Sequence, residues 1–100
     1  MDFKKVKIEV YIPEEYRDKL REALNDIGVL GVGNYDNVMS VTKVTGYWRT
    51  LKNANPFDGE INKLSKASED KIEFATDINN VENAVKVIKE VHPYEEPVIN

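Results

Sequence analysis

His92, just before Pro93, with Tyr94, Glu95 and Glu96, set between Pro93 and Pro97, is the one place in this sequence where several reactive side chains crowd together. Imidazole and carboxylate can bind a divalent ion such as zinc, or pair for proton transfer. His92 is the single histidine of the chain. With Glu95, and Glu96 beside it, a metal would find two or three ligands at most, and successive residues of an extended segment point to opposite sides. A full site would need copies from other subunits or carboxylates from elsewhere in the fold. The structural alternative is that His92 ends a helix, Pro93 stops it and Tyr94 packs at a subunit or sheet edge. Residue types alone favour this second role.

Other candidates carry less chemistry. Gly28, Gly31 and Gly33 have the look of a phosphate loop, but they follow a helix, the reverse of the strand-to-helix order such loops need. Tyr47 and Trp48 could stack on a ligand, although aromatic residues in a strand more often belong to a core or an interface. Ser40, Ser65 and Ser68 have no histidine near them in sequence, which argues against a serine hydrolase. The segment Asn55-Pro56-Phe57-Asp58-Gly59-Glu60 is the strongest turn, joining Asn before Pro to Asp before Gly. It either caps the sheet or stands at a subunit boundary.

Composition bounds the rest. The chain has 100 residues, 14 Lys plus Arg against 18 Asp plus Glu, a net charge of −4 and 41% hydrophobic residues. Without a run of like charge long enough to form a basic face, nucleic-acid binding is not expected. The absence of cysteine removes disulfides, iron–sulfur clusters, thiolate zinc sites and thiol nucleophiles. No apolar run reaches the roughly 18 residues of a membrane span, and Met1-Asp2-Phe3-Lys4-Lys5 lacks a signal-peptide core, so a cytoplasmic protein without a membrane is expected. One domain over residues 1–100 fits the length. A chain this short buries only about two thirds of its unfolded surface, which makes self-association useful.

The elements that must position these residues read clearly. Val6, Ile8, Val10 and Ile12 alternate with Lys5, Lys7, Glu9 and Tyr11 as in a strand with one buried face. Pro13, Glu14 and Glu15 open a helix whose apolar stripe is Tyr16, Leu20, Ala23, Leu24 and Ile27, closed by Gly28. The glycine-rich stretch to Asn37 turns the chain. Val38 to Leu51 is strand-like, with Gly46 as a bulge or a point of close approach. Residues 61–68 fit either class. Ile72 and Phe74 mark another strand, and Asp77 to Asn80 can cap a helix with Val81, Ala84, Val85, Ile88 and Val91 inward. Val98 and Ile99 begin a short last strand. This order, βαββαβ, predicts an α+β ferredoxin-like sandwich: an antiparallel sheet with two helices on one face.

With Gly33-Asn34-Tyr35, the Asn55 to Glu60 turn, Glu73 and His92-Pro93-Tyr94-Glu95-Glu96-Pro97 in place, the sequence resembles the small CutA/PII-like domain inserted in bacterial Nif-three-like (YqfO-type) dinuclear-metal-centre proteins. The spacing matches over residues 5–99. The last motif is also similar to the His-Pro-Tyr-Glu segment of CutA divalent-cation tolerance proteins, where Tyr47 and Trp48 fall at aromatic positions. The resemblance implies the same fold and a homotrimer with ligand clefts between subunits, in which His92 and Glu95 would occur in three copies. CutA's cysteine segment is replaced by Val29 to Tyr35, so copper binding of that kind is not implied.

Two readings follow. One is a non-enzymatic, regulatory oligomeric module that binds a small molecule or metal ion between subunits. The other is a metal-handling protein that holds a divalent ion through His92, Glu95 and Glu96 across subunits. The ligand itself is left open.

Overall fold

Pro13 separates the first strand from the first helix, and the rest of the architecture follows from that tight junction. The computed structural model describes residues 4–52, 60–94 and 97–100. Strand β1 is Lys5–Pro13, helix α1 Arg17–Asp26, strand β2 Ser40–Arg49, strand β3 Leu64–Asp77 and helix α2 Val81–Val91. Each helix is entered through a 3-10 turn, Glu14–Tyr16 and Ile78–Asn80. The carboxylate of Asp77 accepts the Asn79 N–H at 3.0 Å, one of the caps expected from sequence.

The sheet order is β1-β3-β2, antiparallel throughout. The predicted last strand is reduced to a short run along the free side of β1: Asn100 and Glu9 exchange backbone hydrogen bonds at 2.7 and 2.8 Å, and Val10 bridges Ile99. The fold is α+β with two helices, as the periodicity predicts. Residues 64–68, which fitted either class, lengthen β3 to 14 residues.

Ile8, Val10 and Ile12 of β1 and Ile72 and Phe74 of β3 turn to the helices, where Leu20, Leu24, Ala84 and Ile88 meet them. Fully burying each such Leu or Ile contributes about 1.5–3 kcal/mol. Two core residues were not foreseen. Val29 and Leu30 are buried because α1 ends in a Schellman motif: Gly28 N–H bonds Asn25 C=O at 2.9 Å and Val29 N–H reaches back to Leu24 C=O at 3.3 Å. Gly28 has φ +82°, and the reversal carries Val29 onto Leu24 inside the core while leaving Ile27 exposed, contrary to its place in the predicted stripe.

β2 and β3 run on past the end of β1. Pro13 pairs with Glu69, whereas Thr45 to Arg49 pair with Ser68 to Leu64 beyond it. The result is a two-stranded arm with no third strand beside it among the described residues. Register along the arm is continuous through Gly46, so this glycine is not a bulge. It is a close approach: a Cβ there would overlap the Glu69 carboxylate, which is itself buried. Gly46→Ala should displace Glu69 and cost about 1–3 kcal/mol in urea denaturation. Glu69→Ala in the same chain should restore most of that loss, and no rescue would mean that the strain lies elsewhere.

Candidate functional site

The region around His92 is assembled from three parts of the chain. α2 stops at His92 because the residue before proline is held out of the helical region, and its φ −67°, ψ 131° are extended. The ring turns inward and is 6% exposed. Its Nε2 lies 2.5 Å from the carbonyl oxygen of Tyr11 in β1, and its Nδ1 accepts the N–H of Tyr94 at 3.2 Å. A carbonyl only accepts, so Nε2 carries the proton and the imidazole is neutral. Burial pushes its pKa below the ordinary histidine value, against the opposite pull of the Tyr11 carbonyl and the Glu69 carboxylate.

Tyr94 stands between His92 and the arm. Its ring centroid is 4.8 Å from that of His92 and 6.2 Å from that of Trp48, both at tilted angles. Trp48, Gly46 and Glu69 share one face by strand register. The structure therefore brings together His92, Tyr94 and Trp48, three of the residues singled out from sequence, and adds Tyr11 and Glu69. Neither addition had a signal, since Tyr11 acts through a backbone carbonyl 81 residues from His92 and Glu69 through the register of β2 on β3. Tyr47 points to the opposite face and is 63% exposed, and Tyr35 is 76% exposed in the closing pair of a tight hairpin held by reciprocal Val32–Tyr35 backbone bonds. Glu60 pairs with Lys63 at 2.6 Å. Asn55, Pro56, Gly59, Glu95 and Glu96 lie outside the described residues.

This geometry bears directly on metal chemistry. Both ring nitrogens of His92 are engaged by backbone groups, so a cation would have to break one of these bonds and displace a packed ring. As arranged, His92 does not fit the role of a ligand. Among the described residues, no group of three His, Asp or Glu side chains is placed to hold a metal ion.

Two other charged arrangements stand out. On the sheet face away from the helices, Lys7 and Glu9 of β1 and Lys71 and Glu73 of β3 form a four-membered ladder of contacts from 3.0 to 3.6 Å. The hydrogen bond between Lys71 and Glu73 raises the pKa of the lysine and lowers that of the carboxylate, so both stay charged. On the helix side Asp70 is fully buried and is met by Arg17 Nη1 at 2.9 Å and Lys43 Nζ at 3.4 Å. Its hydrogen bond, with Asp18 adding to it, raises the Arg17 pKa, and Glu14 followed by Asp70 raises that of Lys43. Among the described residues no helix is long and apolar enough to cross a membrane.

Comparison with known proteins places this geometry. No family model matches the sequence. A Staphylococcus aureus protein named GTP cyclohydrolase 1 type 2 homolog is 33% identical over 94 residues, covering 94% of this chain and 26% of its own length. The chain thus spans about a quarter of the curated relatives it matches. A Bacillus cereus protein related to NIF3 superposes with a TM-score of 0.84 over 100% of this chain and 26% of its own, at 23% identity. The periplasmic divalent cation tolerance protein CutA of Archaeoglobus fulgidus gives 0.71 at 13% identity, over 97% of this chain and 80% of its own. PII of Arabidopsis thaliana gives 0.61 at 17%, over 98% and 74%. The chain therefore has the CutA/PII-like fold and is a sequence relative of the segment, about a quarter of the whole, that GTP cyclohydrolase 1 type 2 homologs carry.

Proposed function

We propose that residues 1–100 form one cytoplasmic, non-enzymatic domain that assembles into a homotrimer and serves as a regulatory binding module, with a small ligand or ion held in the clefts between subunits. The observation that carries this reading is the sheet face opposite the helices. In a two-layer sandwich one face of the sheet has no cover of its own. Here that face is a checkerboard of Lys7, Glu9, Lys71 and Glu73, in which Glu9, Lys71 and Glu73 side chains are only 22–26% exposed. A neutral, alternating surface is complementary to a rotated copy of itself, since each cation can meet a carboxylate. The CutA/PII-like fold supports the same arrangement.

The ladder is tested by making it one sign. Glu9→Lys with Glu73→Lys makes all four positions of the ladder lysine, and the trimer should fall to monomer in sedimentation velocity while the helical circular dichroism signal is retained. An unchanged trimer would remove this face from the assembly. Against the metal-handling alternative stands the engagement of both nitrogens of His92 by backbone groups. What is left of it rests on Glu95 and Glu96.

A further inference from the structure

β3 carries two successive carboxylates, Glu69 and Asp70, which point to opposite faces of the sheet and are both buried, at 7% and 0% exposure. The chain treats them unequally. Asp70 is met by Arg17 at 2.9 Å and Lys43 at 3.4 Å. Among the described residues no hydrogen bond or ion pair reaches the Glu69 carboxylate. A buried carboxylate is ordinarily paired, because taking its charge out of water is costly.

No cation among the described residues is placed to supply the missing partner. The Glu69 charge acts on His92, yet the imidazole is neutral and its one N–H is directed to the Tyr11 carbonyl. Lys71, two residues along the same face, is held by Glu73 at 3.0 Å and Glu9 at 3.6 Å. Arg49 and Lys66 of the arm stand on the opposite face.

The carboxylate is turned instead to an aromatic surface. Glu69 pairs in register with Val44, but it leans over Gly46, where a Cβ would overlap it, and so toward Trp48, the next residue of β2 on that face. Trp48 in turn packs on Tyr94, with 6.2 Å between ring centroids. The carboxylate oxygens are not sealed in, since among the described residues no side-chain oxygen or nitrogen is at once shut off from solvent and without a partner. A carboxylate beside a π face attracts a weakly hydrated cation, to which the ring quadrupole adds its own pull. A metal ion is a poorer match, because no group of three His, Asp or Glu side chains among the described residues could hold one.

We infer that Glu69 and Trp48 form a subsite for an N–H-bearing organic cation, such as a guanidinium on an apolar body, with the carboxylate accepting its N–H groups and the indole covering its hydrocarbon. This ligand class rests on the proposed binding role and narrows it. Glu69 lies on the ladder face one side-chain position beyond Lys71, at the margin of the proposed trimer contact, where a cleft between subunits would open.

Trp48 is the single tryptophan of the chain, so its fluorescence reports on this subsite alone. Butylguanidinium should change the emission saturably and raise the thermal midpoint of unfolding, while butylurea, its neutral match, should do neither. Glu69→Gln keeps the shape and removes the charge, and it should weaken butylguanidinium binding about tenfold or more. If that variant fails to fold by circular dichroism, Glu69→Asp, which keeps the charge but draws it back from Trp48, should show a loss in the same direction. Binding that survives these changes, or that butylurea shares, would overturn the subsite. A silent titration would overturn it as well, and a trimer that retains a different ligand in native mass spectrometry would then leave the binding module standing.

Discussion

Replacing Arg17 with Met is expected to destabilise the chain more than replacing its partner Asp70 with Ala, although Asp70 is the residue at the centre of the contact. The reason is the asymmetry of burial. Asp70 is fully buried, while the Arg17 and Lys43 side chains are 29% and 66% exposed. When Asp70 is removed, both cations can turn to water, and the cost of lost hydrogen bonds and packing is about 2 kcal/mol. When Arg17 is removed, the carboxylate stays in the core with only the more exposed Lys43 at 3.4 Å to balance it, and a buried charge stripped of its shorter partner is the costlier defect. Urea denaturation of the two variants measures the order. Arg17→Lys should recover part of the loss, since it returns a charge without the planar fork. If Arg17→Met were the milder change, Asp70 would not depend on the guanidinium.

His92→Ala should cost about 2–3 kcal/mol, because it removes the hydrogen bond to Tyr11, orphans the Tyr94 N–H and opens a cavity beneath the Tyr94 ring. The sign of the pH dependence follows from the neutral imidazole. Its pKa is lowered in the folded chain, so between that value and the ordinary 6.5 the unfolded chain binds the extra proton. Stability contributed by His92 is therefore complete above pH 6.5 and is lost as pH falls from there through the folded-state value. Wild-type unfolding free energies should show this decline, and His92→Ala should lack it. A variant with wild-type stability and reduced metal retention would reverse the assignment and make His92 a ligand.

Much of this was legible in the residues. The alternation from Lys5 to Ile12 and the apolar stripes around Leu20 and Ile88 specified three elements and the side each one buries, because strand and helix periods are local properties. The stop at His92 was equally local, since Pro93 restricts its neighbour. What could not be read depends on distant partners. Ile27 matches the helical stripe by offset, yet Gly28 reverses the chain and Val29 takes its place in the core. Gly46 was open between bulge and close approach until Glu69 was found against it. The burial of Asp70 within the polar run Ser68-Glu69-Asp70-Lys71 is intelligible only with Arg17 and Lys43 beside it. The site shows the same division: His92 and Tyr94 stood out by type, but whether the imidazole is free or engaged was decided by a carbonyl of β1 that lies 81 residues away.

Native mass spectrometry of the purified chain over a range of concentrations tests the central claim most directly, because one spectrum reports both assembly and retained ligand. The account predicts a species of three chain masses, with any retained small molecule or ion in proportion to the trimer and unaffected by His92→Ala. A clean monomer at every concentration would contradict it.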